Sequence, residues 1–462
     1  MGKVRWAGWT MAVATALVLS GAQAGRADIA SDKPAAIVVY PKIVVGNPEG
    51  TDTVVRLANT NQTLPVNVHC FYLNANSHCS GGPNDGAICT NDPSVCSGLS
   101  FCIPGWQEVD FHIRLTPGQP IEWDAENGLA DSRTCVGGSK AWRPCRVNAD
   151  CPGGSCSEGL PLPVGVCTLR PSQTCFSDSD CNFPPGGHCT QSNVGTRIPP
   201  VPEDPFIGEL KCVEVDDSGK PVAANDLKGE ALLEEVNGAT PDFDVASYNA
   251  IGIEACDSNV NPNCVSPSTT PGELVLGGPS QCSGGDNDGN PCSTAKDCPN
   301  GTCAVATAYA YNGCPNYLIL NHFFDDAMDP VPGTDSQVDT TLTLVPCSED
   351  LLRQIPGTAV VQYLVYNEFE QRFSTSKAVQ CYQDIELCNI DTSDCSRSIF
   401  NVGVAGTLTG QTRINPIGVP PLPSALLGVA VEEHGGAGGD RSAAFNLHMA
   451  GARNTADTIT LP

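Results

Sequence analysis

The chain has 462 residues, 25 of them cysteine, and sets 51 acidic against 24 basic side chains for a formal charge of −27. Charged residues make up only 16%, so the acidity reflects scarce bases, and a chain without a basic footprint is not built to bind nucleic acid. Forty-seven Gly and 38 Pro exclude a helical bundle or coiled coil, and so many cysteines are seldom kept in a reducing cytosol.

At the N-terminus Lys3 and Arg5 precede the apolar run Met11–Leu19 and the small-residue site Ala22-Gln23-Ala24. This order predicts a secretory signal peptide over residues 1–24. The run is too short for a ~30 Å bilayer core, which needs about 20 apolar residues. No later segment is longer, so no membrane span is expected in the mature chain. The expected location is secreted or at the extracellular surface, with the periplasm as the alternative.

Next comes β texture. Ile37–Tyr40 and Ile43–Val45 are β-branched runs, and Val54–Leu57, Val66–Phe71 and Phe111–Leu115 alternate apolar with polar residues. Helix is predicted only at Leu227–Val236 and Glu349–Ile355. Cys70 and Cys212 fall on predicted strands and are candidates for a disulfide. Cys256 and Cys264 are close enough for a local one. Glu368 and Glu370, alternating with Phe369, are expected on one solvent face of a strand.

Four clusters of four cysteines interrupt this texture: Cys79, Cys89, Cys96, Cys102; Cys135, Cys145, Cys151, Cys156; Cys167, Cys175, Cys181, Cys189; and Cys282, Cys292, Cys298, Cys303. The second and fourth share the spacing C-x9-C-x5-C-x4-C, and the others are length variants. Gly81-Gly82, Gly137-Gly138 and Gly284-Gly285 follow the first cysteine at one offset, and Asp150, Asp180 and Asp297 precede the third. This is a repeated unit. Each unit is too poor in large apolar side chains to form a core, so two disulfides per unit are the expected staple, with the pairing open. The spacings lack the CxxC pairs that zinc prefers. Asp286, Asp288 and Asp297 are candidate calcium ligands, although Asp286-Asn287-Asp288-Gly289 matches only the start of an EF-hand loop. The units resemble short Cys-rich repeats of exported bacterial proteins (C-x-G-G…C…D-C-x-G-G-x-C). That resemblance implies an exported, modular protein with no defined activity attached.

Several features recur in order. The strand–turn–strand Val54–Cys70 is matched by Val360–Cys381, Phe111–Gln119 by Val404–Gln411, Pro199–Gly208 by Pro420–Gly428, and Asp339–Leu344 by Asp457–Leu461. The expected fold is therefore mainly β, with two Ig-like β-sandwich halves related by duplication. The first, 30–347, is interrupted by modules 79–102, 135–156 and 167–189 and by an insertion 238–335 containing module 282–303. The second is 356–462. An odd cysteine count leaves at least one thiol without an intrachain partner.

Catalytic motifs are thin: there is no G-x-S-x-G, H-E-x-x-H, P-loop or C-x-x-C. Asn321–Asp326, the densest polar-aromatic stretch, reads as a strand end with core aromatics. The expected function is an exported, disulfide-rich, non-enzymatic structural or adhesive protein of the cell surface or extracellular space. Expected partners are further copies of the chain or surface and matrix components, and no cofactor other than calcium is expected. The alternatives are a protein- or glycan-recognition module using the Cys-rich inserts, and an exported hydrolase or metal-dependent enzyme.

Overall fold

The structure is a computed structural model. It describes residues 29–30, 33–46, 50–90, 93–129, 198–236, 243–255, 310–330, 337–417, 424–435, 441–453 and 457–462, together with short strands and turns of the Cys-rich stretches between 134 and 191 and between 272 and 304. The signal-peptide segment 1–24, Cys256 and Cys264 lie outside them.

The chain is mainly β. Nine strands of the first part are β1 (Ile37–Val45), β2 (Thr51–Asn59), β3 (Val66–Asn74), β4 (Gln107–Leu115), β5 (Pro120–Asp124), β6 (Phe206–Val215), β7 (Leu227–Val236), β8 (Phe243–Asn249) and β9 (Ile251–Ile253). They form two antiparallel sheets, β9-β1-β6-β3-β4 and β8-β7-β2-β5. Val38, Tyr40, Val68, Cys70, Tyr72, Phe111 and Leu210 of one sheet meet Val55, Leu57, Trp123, Ala231 and Tyr248 of the other. The Trp123 indole donates to the Tyr72 hydroxyl at 2.7 Å, which satisfies both polar tips inside this core.

After β10 (Glu273–Gly277) the second set follows: β11 (Pro315–Phe323), β12 (Gln337–Pro346), β13 (Glu349–Asp350), β14 (Thr358–Asn367), β15 (Arg372–Gln380), β16 (Gln383–Glu386), β17 (Thr409–Ile417), β18 (Leu426–His434), β19 (Arg441–Asn446), β20 (His448–Arg453) and β21 (Asp457–Thr460). Here the sheets are β20-β11-β17-β14-β15 and β19-β18-β12-β16. Their core is built from Leu318, Val361, Tyr363, Val365 and Ile414 against Leu342, Leu344, Leu426 and Ala430.

Leaving out the two-residue strands Ile29–Ala30, Ala327–Met328 and β13, the two sandwiches have the same connectivity, strand for strand. β1–β9 correspond in chain order to β11, β12 and β14–β20, and every pairing in one has its counterpart in the other. β10, after the first set, pairs antiparallel with β21, after the second.

This order differs from the Ig order, in which strands A and B share a sheet; here β1 and β2 lie in opposite sheets. The correspondence is also displaced by one strand from that expected. β14 and β15 match β3 and β4, because β14–β15 is a hairpin while the short turn between β2 and β3 carries the chain from one sheet to the other. β11 and β12, expected within the first half, hydrogen-bond to β17, β20 and β18, and β8 and β9, expected within the 238–335 insertion, belong to the first sandwich.

Strands β9, β1, β6 and β3 of the β9-β1-β6-β3-β4 sheet are buried on both faces, while the edge strand β4 keeps one face partly in solvent. The sheet's second face presents Ile37, Val39, Phe71, Leu73, Val213 and Ile253 to Leu274 and Leu276 of β10, Tyr311, Val345, Leu427 and Ile459. Double burial explains why β1 is almost continuously apolar and buried, while β14, which faces solvent on one side, strictly alternates. Two charges also bridge the sandwiches: Lys42 of β1 meets Asp384 of β16 at 2.6 Å with both side chains nearly buried, and Asp384 accepts from Thr343 as well.

Leu227–Val236 is strand β7, not helix, despite its Leu, Glu and Ala. It pairs along its length with β2 and β8. Gly229 lies under the Tyr40 ring, where a Cβ would come within 2.0 Å of the hydroxyl, so this glycine serves close approach rather than flexibility. Tertiary pairing overrides the local propensity. Glu349–Ile355 likewise begins as β13 and continues as turn.

Cys70 and Cys212 stand directly opposite on β3 and β6 and are disulfide-bonded across 142 residues of chain. Chain-entropy reasoning for a loop of that size gives a ceiling of about 5 kcal/mol. The Cys70→Ala/Cys212→Ala double variant is expected to lose roughly 2–5 kcal/mol in urea unfolding; a midpoint unchanged from wild type would show that the bond contributes nothing.

Candidate functional site

The first Cys-rich unit is the best-described insert. Two short strands, His78–Ser80 and Phe101–Ile103, pair with Cys79 opposite Cys102, and the disulfides are Cys79–Cys96 and Cys89–Cys102. The same first-to-fourth register recurs in the other three units: Cys135 opposite Cys156, Cys167 opposite Cys189, and Cys282 opposite Cys303. Gly81, Gly82, Gly137, Gly138, Gly284 and Gly285 all take positive φ, the turn conformation that the repeated Gly-Gly supplies at low cost. Among the described residues, the first and fourth cysteines of all four units thus share one antiparallel register.

This unit is rooted on the framework by Glu203. Its carboxylate accepts from Asn74 and Asn76, each at 2.6 Å, and pairs with His78 at 3.0 Å. Away from that root Leu99 and Phe101 are 93% and 72% exposed, and Ile103, opposite His78, is 48% exposed. Three large apolar side chains within five residues thus face water on a stapled loop.

Of the candidate calcium ligands, Asp286 is exposed and accepts from the Asn300 amide at 3.1 Å; Asp288 and Asp297 lie outside the described residues. In the first unit Asp85, at the offset of Asp288, accepts from the Gly81 amide at 2.5 Å, so here this acidic position satisfies a turn amide.

A cluster not anticipated from sequence lies on β3 and β4. His69 and His112 are directly opposite and stack with centroids 3.9 Å apart, and His69 pairs with Asp110 at 2.7 Å. One ligand atom from each of the three falls within 4.8 Å of the others. Two imidazoles and a carboxylate are a donor set suited to divalent transition metals. Burial, then the neighbouring His69, push the His112 imidazole down to about 4, which keeps it neutral and able to ligate. The signal in the sequence was Asp110-Phe111-His112: period 2 places both on one face, with His69 across the ladder.

The stretch Asn321–Asp326 is the expected strand end with core aromatics. Phe324 is fully buried. His322 pairs through Nε2 with the Thr412 hydroxyl at 2.9 Å and through Nδ1 with the Phe323 carbonyl at 2.7 Å. Asp325 accepts from the Cys388 amide at 2.6 Å and is pushed up to about 8, mainly by burial. Glu368 and Glu370 sit in the turn between β14 and β15, not on a strand face, and Glu368 accepts from Thr409.

Two further disulfides, Cys314–Cys347 and Cys388–Cys395, had no distinguishing spacing in the sequence. Cys381 is the free thiol among the described residues; it is buried and pushed up to about 12, first by desolvation and then by Glu209 and Glu349. No family model matches the chain, and a search of curated proteins finds no match.

Three outcomes follow. Non-reducing peptide mapping should give first-to-third and second-to-fourth pairing in every Cys-rich unit, as in the first; pairs between units would contradict the repeat. Cys381 should resist iodoacetamide in the native protein and react fully in denaturant, and rapid native labelling would contradict its burial. For His322, burial lowers the folded-state value to about 4 from 6.5, so below 6.5 the unfolded chain binds a proton that the folded chain refuses. Stability from this group is complete above 6.5 and declines as pH falls toward 4. Urea midpoints of His322→Gln should therefore depend less on pH across that window; an identical slope would contradict the assignment.

Proposed function

We propose that this is an exported, disulfide-rich, non-enzymatic structural or adhesive protein of the cell surface or extracellular space. In this reading a duplicated sandwich framework holds the Cys-rich units out for contact. The observation that carries it is the first unit: covalently stapled, anchored at its root by Glu203, and presenting Leu99, Phe101 and Ile103 to solvent. A scaffold with projecting ordered loops is the usual arrangement for a contact surface. The strand-for-strand correspondence of the two sandwiches supports duplication as the origin of the framework. Disulfides and the predicted signal peptide support export. Among the described residues no helix is long and apolar enough to cross a membrane.

The exposed apolar tip also favours the second reading, a recognition module for one protein or glycan. The two differ in occupant: an adhesive subunit contacts further copies of itself, whereas a recognition module needs a ligand of another kind.

Beads coated with the mature protein test this. They are expected to cluster with one another, and the Leu99→Ser/Phe101→Ser/Ile103→Ser variant, with an unchanged melting temperature, should cluster at least tenfold less. Wild-type beads that stay dispersed would contradict the adhesive reading, and clustering that survives the triple substitution would contradict the role of the tip. Location of the protein in the cytosol of the producing cells would overturn the proposal as a whole.

A further inference from the structure

The doubly buried sheet carries one lysine at its centre. Lys211 of β6 lies between Val39 of β1 and Phe71 of β3 in the ladder, and its side chain is only 1% exposed. Its Nζ donates to Glu209 Oε1 of the same strand at 2.9 Å and is in direct contact with Glu349 Oε2 of β13. The two glutamate side chains are 1% and 0% exposed. The remaining carboxyl oxygens, Glu209 Oε2 and Glu349 Oε1, have no hydrogen-bond partner if both groups are carboxylates. Burial, then the charge of Glu349, push the Glu209 carboxyl well above its ordinary range. Glu209 is then a neutral acid beside a Lys211–Glu349 ion pair, held among Val39, Phe71 and Leu73 of the second core. Such a pair bears a desolvation cost that its own attraction repays only in part.

We propose that Lys211 and Glu349 are joined by an intramolecular amide bond formed after folding, with Glu209 moving the protons. In the reacting form one proton has passed from the Lys211 ammonium to the Glu349 carboxylate, across the direct contact between them, leaving an amine and a carboxylic acid. The amine lone pair forms the N–C bond at Cδ of Glu349, and the carbonyl π pair moves onto oxygen. Glu209 donates its proton to the departing hydroxyl and accepts an N–H proton on its other oxygen. The C–O bond breaks, the carbonyl re-forms and one water leaves. Glu209 is regenerated, and no oxidant, reductant or co-reactant is consumed. Two buried charges become one neutral amide, and the approach of amine to carboxyl is already made by the fold. The bond would lock β6 of the first sandwich to β13, two residues beyond Cys347, which the Cys314–Cys347 disulfide already ties to the start of β11.

The test is the mass of the mature wild-type protein after reduction and alkylation, followed by tryptic mapping. The expected mass is one water below that of the sequence, with cleavage after Lys211 blocked and a branched peptide joining residue 211 to residue 349. Lys211→Met and Glu349→Met should abolish the branch, and Glu209→Gln should slow its formation at least tenfold in protein that retains the wild-type circular dichroism spectrum. A wild-type protein of full sequence mass, with separate peptides for the two residues, overturns the proposal whether or not the variants fold. A Glu209→Gln protein that forms the branch at the wild-type rate overturns the role given to Glu209.

Discussion

The structure depends on burying one sheet from both sides. β9-β1-β6-β3-β4 meets its own partner sheet through Tyr40, Cys70, Tyr72 and Leu210, and meets β10, β21 and the back of the second sandwich through Ile37, Val39, Phe71 and Val213. A sheet face left in water could carry polar residues. The demand of this one is written into β1, whose nine residues include a single charge, Lys42, paired across the interface with Asp384. Burying apolar area at roughly 25 cal/mol per Å² on both faces couples the sandwiches more firmly than a linker would.

That constraint organises the rest. Because the centre is dry, polar groups in it need partners, and Tyr40, Tyr72, Tyr248, the Lys42–Asp384 pair and the Lys211 cluster meet that need in different ways. Tyr248 both accepts from the Lys42 amide and donates to its carbonyl. Because the framework is held from within, loops at its rim can accept long insertions at modest entropic cost. The first Cys-rich unit lies outside the shared cores, to which none of its residues 79–102 belongs. The division between an apolar framework and covalently stapled, polar inserts is therefore a division between two ways of paying for order.

Much of this was legible in the residues, and the failures are instructive. The framework strands could be placed from β-branched runs and alternation, because burial on two faces or one leaves those two signatures. The Cys-rich unit was legible because spacing and positive-φ glycines recur together. Sheet membership was not: Asn59-Thr60-Asn61 looks like a hairpin turn, yet β2 and β3 lie in opposite sheets. That misreading shifted the internal correspondence by one strand. β7 read as helix because its Leu, Glu and Ala favour helix, and only its neighbours on both sides make it a strand. The His69–Asp110–His112 cluster and the Lys211 cluster were hidden for a common reason. Each joins residues far apart in sequence, and a single Lys or His in a strand looks like a solvent-facing position until the covering sheet is known.

The central claim, that the doubly buried sheet makes both sandwiches one cooperative unit, is tested most directly by native-state hydrogen exchange across a urea series. Backbone amides of β1, β3 and β6 are expected to exchange most slowly, with amides of β14 and β17 joining them in a single unfolding isotherm. Two separate isotherms, with the second sandwich opening at a urea concentration where β1, β3 and β6 stay protected, would contradict it.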